Sequence, residues 1–157
     1  MKNNKPENFW EVALFSFIFL NVMTFVHELG HYTTLRMFGC DASTPQVWFF
    51  FGATPFKCDT ATLTPLQWWI VAYAGAIFAF VASYYLWTKM GKDSIWRLAA
   101  LVGFMYGVLP NLVWQIQGTD SYFAVSMGFP PALATFIMVT AIAVISWLAY
   151  REIAEIG

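Results

Sequence analysis

Long runs of apolar residues, separated by short polar segments, dominate the chain. Four runs are long enough to span a bilayer, whose hydrocarbon core of ~30 Å needs about 20 mostly apolar residues per helix. We name them segments A to D, and they cover approximately residues 9–38, 65–89, 94–117 and 130–150. Proline opens segments B and D, and glycine follows segment A, as is common at helix ends. The pattern predicts an all-α polytopic membrane protein with about four transmembrane helices.

The longest connection between two apolar runs, residues 40–64, is itself apolar. Residues 45–58 have the sequence PQVWFFFGATPFKC, with aromatic and β-branched side chains on both sides of Gly52. This composition favours a short β-hairpin or an extended segment over a free aqueous loop. Irregular backbone at membrane depth must be covered by protein, so we expect this stretch to lie against the membrane or the helices.

Composition indicates a lipid environment. The 157 residues are 59% hydrophobic and only 11% charged, whereas soluble domains carry roughly 25% charged residues. The length suits one domain, covering residues 1–157 and embedded in the lipid bilayer as a multi-pass protein. The net charge of −1 provides no basic face for nucleic acid. The first apolar run lacks a small-residue cleavage site, so we expect no cleavable signal peptide.

Three polar residues interrupt the end of segment A. His27, Glu28 and His31 lie in the stretch VHELGHY. His27 and His31 are the only histidines of the chain. Residues four apart on a helix lie one turn apart on the same face, so both imidazoles can bind one Zn²⁺. Glu28 then lies beside the open coordination position, where a carboxylate can accept a proton from water. The simpler alternative is that both histidines only reach toward the water interface.

A catalytic zinc site usually has a third protein ligand. With no further histidine, this ligand is expected to be an Asp, Glu or Cys. We favour Asp120, because segment C returns the chain to the side where His31 lies, and because Pro110 and Asn111 interrupt that segment. The alternative is an exposed Asp120 in a polar turn. The loop contains four other residues of suitable type: Asp41, Asp59, Cys40 and Cys58. The two cysteines are equally compatible with one disulfide and with two free thiols.

Two glycines in the apolar runs predict close contacts between helices. Gly30 lies inside the histidine motif, and its lack of a side chain allows another helix to approach. Gly75 lies in the stretch YAGAIFA of segment B, where further small residues form a narrow face. We expect neighbouring helices to approach closely at both glycines.

These motifs resemble the site-2 protease family of intramembrane zinc metalloproteases. In that family, His-Glu-x-x-His lies on one core helix, and His27, Glu28 and His31 match it in full. The family has an Ala-Gly-Pro-type motif on the next helix. Ala74 and Gly75 match its first two positions, and the third is alanine here.

The third motif of the family, Asn-x-x-Pro followed by Asp-Gly, is matched only in kind. Asn111 and Asp120 are present at a similar spacing, but Pro110 precedes the asparagine and Ser121 replaces the glycine. The resemblance covers about residues 9–122, the minimal core, with segment D as an accessory helix. The PDZ and CBS modules of many members are not expected here.

The resemblance implies a zinc-dependent endopeptidase that cuts the transmembrane helix of another protein in or near the membrane, as in regulated intramembrane proteolysis. Glu28 would be the general base, and His27, His31 and Asp120 would hold one Zn²⁺ per chain. Asn111 would hold the substrate backbone or its oxyanion. The aromatic loop would pair with an extended substrate strand, or alternatively only seal the bundle.

Two other functions fit parts of the pattern. A non-catalytic metal-binding subunit of a larger membrane complex suits the small size, but a structural metal site needs no base such as Glu28. A small transporter that uses Asp120 and the histidines as an ion relay is disfavoured, because the chain has no internal repeat.

The orientation in the membrane receives conflicting indications. With four spans, one side carries six basic residues: Lys2, Lys5, Lys89, Lys92, Arg97 and Arg151. The other side, where the histidines lie, carries only Arg36 and Lys57. The positive-inside rule therefore puts the histidine motif away from the cytoplasm. The family resemblance implies the reverse, because its zinc site is usually reached from the cytosol.

Overall fold

The structure is a computed structural model that describes residues 9–48, 51–58, 63–91, 97, 101, 111–113 and 115–156. In this part of the chain there are four helices: α1 (Phe9–Met37), α2 (Pro65–Lys89), α3 (Asp120–Ser126) and α4 (Pro131–Ile156). Three stretches are long and apolar enough to cross a membrane: Ala13–Met37, Pro65–Lys89 and Pro131–Arg151. The mainly helical class is therefore confirmed, while most of segment C, the fourth predicted span, lies outside the described residues.

Local sequence accounts for the ends of the first two helices. After α1 ends, Gly39 has a φ of 82°, a left-handed conformation that glycine adopts at little steric cost. Before α2, Thr64 and Gln67 form a capping box in which each side chain accepts a hydrogen bond from the other's backbone N–H. The predicted bounds of segments A and B agree with α1 and α2 to within one residue.

The two helices α1 and α2 pack against each other in opposite directions. Gly30 of α1 lies against Ala74 of α2. Farther from the histidines, the Ser83 hydroxyl of α2 contacts the sulfur of Met23 of α1 at 2.9 Å. The main core lies toward the end of the pair remote from the histidines. It consists of Phe19, Met23, Ala76, Ala79, Trp87, Leu101, Leu112, Ile145 and Leu148. Because α4 contributes the last two, it runs from the histidine end of the bundle to the opposite end.

Between α1 and α2 the chain forms two nested pairs of short antiparallel strands. The outer pair is β1 (Asp41–Ala42) with β4 (Phe56–Lys57), and the inner pair is β2 (Gln46–Trp48) with β3 (Phe51–Ala53). Both inner strands contact α1. The hairpin predicted for residues 45–58 is therefore confirmed, and it lies against the helices.

The later segments depart from prediction in two places. Segment C was expected to stay helical to residue 117, but Val113 is outside a helix and residues 115–119 form turns. The physical reason is local, because the Val113 carbonyl accepts hydrogen bonds from the Ile116 N–H and the Thr119 hydroxyl, which end the helical pattern. At the C-terminal end, α4 continues to Ile156, six residues beyond the predicted end at 150.

A small side chain at position 79 is required for the α1–α2 contact. Ala79 is 0% exposed, so we expect Ala79→Leu to overpack the interface and destabilise the protein by about 1–3 kcal/mol. Thermal unfolding in detergent should show a midpoint lowered by several degrees. Val81→Leu is the matched control on the same helix, because Val81 is 58% exposed. Equal midpoints for the two variants would contradict this packing.

Candidate metal centre

Three side chains from two helices converge on one point. His27 and His31 extend from one face of α1, and their Nε2 atoms are 3.1 Å apart. Asp120, the first residue of α3, places Oδ2 at 2.9 Å from Nε2 of His27 and Oδ1 at 3.4 Å from Nε2 of His31. Among the described residues, this is the group of metal-binding side chains whose ligand atoms lie close enough together for one ion. The structure thus brings together all three ligands predicted from the sequence.

The spacing of these atoms fits a zinc ion. Ligand atoms about 2.0–2.1 Å from a tetrahedral Zn²⁺ lie roughly 3.3 Å from one another, close to the separations of 2.9, 3.1 and 3.4 Å seen here. The buried Oδ2 of Asp120 makes no hydrogen bond within the described part of the chain, despite its short distance to His27. Two imidazoles and a carboxylate are also donor types that zinc binds.

The backbone of α2 sets the orientation of His31. Nδ1 of His31 lies 2.8 Å from the carbonyl oxygen of Val71. A carbonyl only accepts hydrogen bonds, so Nδ1 carries a proton, and in the neutral imidazole Nε2 then keeps the lone pair that can bind a metal. The buried Nδ1 of His27 has no such partner among the described residues.

Two glycines allow α2 to approach this closely. A Cβ on Gly75 would lie 2.5 Å from Nε2 of His31 and 2.6 Å from Nε2 of His27. A Cβ on Gly30 would lie 2.5 Å from the carbonyl oxygen of Ala74. No side chain fits at either position without moving a backbone or a ligand. The close approaches predicted at both glycines are confirmed.

The start of α3 places Asp120 next to the two histidines. Thr119 caps this helix by accepting a hydrogen bond from its backbone. The next residue, Ser121, is fully buried and donates a hydrogen bond to the Tyr73 hydroxyl of α2 at 3.2 Å. Ala124 is also fully buried, in a cluster that includes Ala72. These contacts attach α3 to α2 and direct Asp120 toward α1.

The two imidazoles beside Asp120 favour the ionised form of its carboxyl. Burial acts to raise its pKa, but the neighbouring imidazoles of His27 and His31 outweigh burial and lower the pKa to about 2. The ionised carboxylate is the form that binds a metal.

Glu28 occupies a protected position in a cavity that His31 and Asp120 also line. It is 7% exposed, and its Oε2 accepts a hydrogen bond from the Thr54 hydroxyl at 2.9 Å. A cavity of about 170 Å³ is lined by Glu28, His31 and Asp120 together. Its other described walls are Leu35, Thr54, Phe56, Trp68, Val71, Ala72 and Phe123. A buried carboxylate, two of the three candidate metal ligands and a mainly apolar wall therefore share one cavity.

Three of the four alternative third ligands in the loop are described, and none of the three is available at this point. Cys40 and Cys58 are joined in a disulfide, so neither offers a thiolate. The side chain of Asp41 is 81% exposed, and its Oδ1 lies 3.4 Å from Arg36. Asp59 lies outside the described residues.

The remaining predicted site residue, Asn111, is half-buried in a helical turn with Leu112. Asn111 is not among the described residues that line the cavity. Its role in substrate binding stays a prediction.

Two contributors to the site carry no sequence signal of their own. The Val71 carbonyl is a backbone group, so its role does not depend on the residue type and cannot be predicted from it. Thr54 is one hydroxyl in a loop, and only the fold brings it to Glu28, 26 residues earlier. A search for metal-ligand spacings cannot find either group.

Comparison with protein-family models, with curated proteins and with solved structures found no match. The resemblance to the site-2 proteases therefore rests on the motifs alone and stays a prediction.

We expect the purified chain to bind about one zinc ion, because the three ligands define one site. His27→Ala and His31→Ala should each remove the metal. Asp120→Asn should weaken zinc binding roughly 10-fold or more, since an amide is a poorer ligand than a carboxylate. Asp41→Asn is the matched control and should bind zinc normally. Elemental analysis and a competitive chelator titration would measure this, and stoichiometric zinc in both histidine variants would place the metal elsewhere.

A methyl group at position 75 should disturb the same site from α2. Gly75→Ala brings a carbon into contact with both ligand nitrogens, so we expect zinc affinity to fall roughly 10-fold or more. Gly91→Ala controls for the loss of a glycine, because a Cβ there meets no atom of the described residues within 4 Å. Equal affinities in the chelator titration would show that α2 does not confine the two histidines.

Proposed function

We propose that this chain is a zinc-dependent intramembrane endopeptidase. The observation that carries the proposal is the placement of Glu28. This buried carboxylate lines the same cavity as His31 and Asp120, two of the three residues whose candidate ligand atoms converge. A metal that only held helices together would need ligands but no adjacent carboxylate.

Each residue of the site would have a separate role in peptide hydrolysis. His27, His31 and Asp120 would hold the zinc, which supplies Lewis acidity for activating water and polarising a carbonyl. Glu28 would accept the proton of the attacking water and then pass it to the leaving amine. The hydrogen bond from His31 to the Val71 carbonyl holds the imidazole in the tautomer that keeps Nε2 free.

The surroundings of the site favour a substrate that is itself embedded in the membrane. The histidines lie within a stretch that is apolar enough to cross a bilayer, Ala13–Met37. The walls of the cavity include Leu35, Phe56 and Trp68. A transmembrane segment of another protein is the peptide that such walls would accept, with Asn111 proposed as a contact to its backbone.

Removing the base should distinguish the proposed protease function from the alternative function, that of a non-catalytic metal-binding membrane subunit. Glu28→Gln keeps the shape of the side chain but cannot take up the proton. We expect cleavage of a quenched fluorescent transmembrane peptide in proteoliposomes to fall by about 10²–10⁴-fold, with zinc retained. Glu11→Gln, on the exposed first turn of the same helix, is the control. Equal cleavage by Glu28→Gln and the native chain would contradict the mechanism, and absence of cleavage in both would favour the non-catalytic alternative.

A further inference from the structure

Thr54, which follows strand β3, makes two contacts to one residue of α1. Its Oγ1 is 2.9 Å from the backbone carbonyl oxygen of Glu28 and also 2.9 Å from Oε2 of the same residue. The single hydroxyl proton thus has both the main chain and the carboxylate of Glu28 as acceptors. One side chain of the loop therefore ties the base to its own helix.

Gly52 supplies the room for this arrangement. A Cβ on Gly52 would lie 2.5 Å from Cγ and 2.9 Å from Oε1 of Glu28. The Glu28 side chain thus lies directly across the β3 backbone, with Oε1 near Gly52 and Oε2 at Thr54. Strand β3 and the residue after it form a cradle for the whole carboxylate.

We propose that Thr54 is a positioning residue, whose hydroxyl holds the Glu28 carboxylate in the orientation that it needs as a base. A free glutamate side chain has several rotamers, and selecting one in advance removes an entropic cost from the reaction. Gly52 is required by the same arrangement, because any side chain there displaces the carboxylate. The proposal rests on the proposed protease function for its catalytic consequence, but the hydrogen bond itself can be tested without activity.

The kinetic test compares two isosteric changes. Thr54→Val removes the hydroxyl and keeps the shape, so we expect kcat on the transmembrane peptide to fall roughly 10-fold or more, with KM and zinc content unchanged. Thr54→Ser keeps the hydroxyl and should restore most of kcat. Thr33→Val is the matched control, because the Thr33 hydroxyl also donates to an α1 carbonyl, that of Leu29 at 2.7 Å. A Thr54→Val protein with native or higher kcat, or one that has lost its zinc, would overturn the proposal.

A double-mutant cycle on thermal stability tests the hydrogen bond between Thr54 and Glu28 without measuring cleavage. It can therefore contradict the positioning role even if the protease function is wrong. We expect Thr54→Val to lower the thermal midpoint by roughly 2–4 °C in the native chain. In a Glu28→Ala background the loss should be clearly smaller, because the carboxylate acceptor is already gone. Additive losses would mean that Thr54 holds only the main chain of α1, which would overturn the positioning role whether or not the chain cleaves peptides.

An independent observation concerns the side of the membrane on which the metal centre opens. The disulfide between Cys40 and Cys58 lies at the end of α1 that follows His31, and it closes the strand region that covers Glu28. Disulfides form and persist in oxidising compartments such as the periplasm, the cell exterior and the lumen of the endoplasmic reticulum, and are rare in the cytosol.

The distribution of basic residues between the two ends of the bundle also places the disulfide on the non-cytoplasmic side. The histidine end carries Arg36 and Lys57. The end remote from the histidines carries Lys89 at the end of α2, Arg97 over the Trp87 ring and Arg151 near the end of α4, and is the more basic of the two among the described residues. The positive-inside rule puts this basic end in the cytoplasm. We infer that the metal centre opens toward the oxidising, non-cytoplasmic side, opposite to the usual access in the family that the motifs resemble.

Cysteine labelling tests this orientation, since the chain has only these two cysteines. In spheroplasts of a bacterial host, an impermeant maleimide should label the native chain only after an impermeant reductant is added. A Cys40→Ser, Cys58→Ser chain carrying Thr88→Cys, beside Lys89, is the control and should be labelled only after lysis. Labelling of the native chain without reductant, or only after lysis, would overturn the inference.

Discussion

The close contact between α1 and α2 at Gly30 and Gly75 is the constraint on which the rest of the structure depends. Because neither position has a Cβ, the α2 backbone reaches both ligand nitrogens and the Val71 carbonyl reaches Nδ1 of His31. The same contact sets the direction of α2, and α3 is attached to α2 through Ser121. The position of Asp120 therefore depends on two glycines that carry no chemistry themselves.

Polar groups inside an apolar bundle are stable only when other groups or an ion satisfy them. Here Glu28 is satisfied by Thr54 and His31 by a backbone carbonyl. The buried Oδ2 of Asp120 has no hydrogen-bond partner among the described residues, although it lies 2.9 Å from a histidine nitrogen. A metal ion at this point would account for the oxygen and for the short separations between the ligand atoms. The arrangement consists of three candidate metal ligands and a buried carboxylate that shares a cavity with two of them.

Sequence reasoning could predict the elements whose signals are local and strong. Helices α1 and α2 follow from long apolar runs with proline and glycine at their ends, and the histidine pair follows from a four-residue spacing. Chain direction predicts that Asp120 lies at the histidine end, and the structure places it there. The end of segment C could not be predicted, since turn hydrogen bonds to the Val113 carbonyl decide it. The roles of Thr54 and Val71 are also beyond the sequence, because they arise from contacts between residues distant along the chain.

X-ray absorption at the zinc edge, on the purified chain loaded with one equivalent of zinc, tests the central claim most directly. A centre built from His27, His31 and Asp120 should show two imidazole nitrogens and one carboxylate oxygen at about 2.0–2.2 Å, with a light atom completing the shell. The two imidazoles should also give their characteristic outer-shell scattering. A spectrum with sulfur at about 2.3 Å, or with fewer than two imidazoles per zinc, would contradict a centre built from His27, His31 and Asp120.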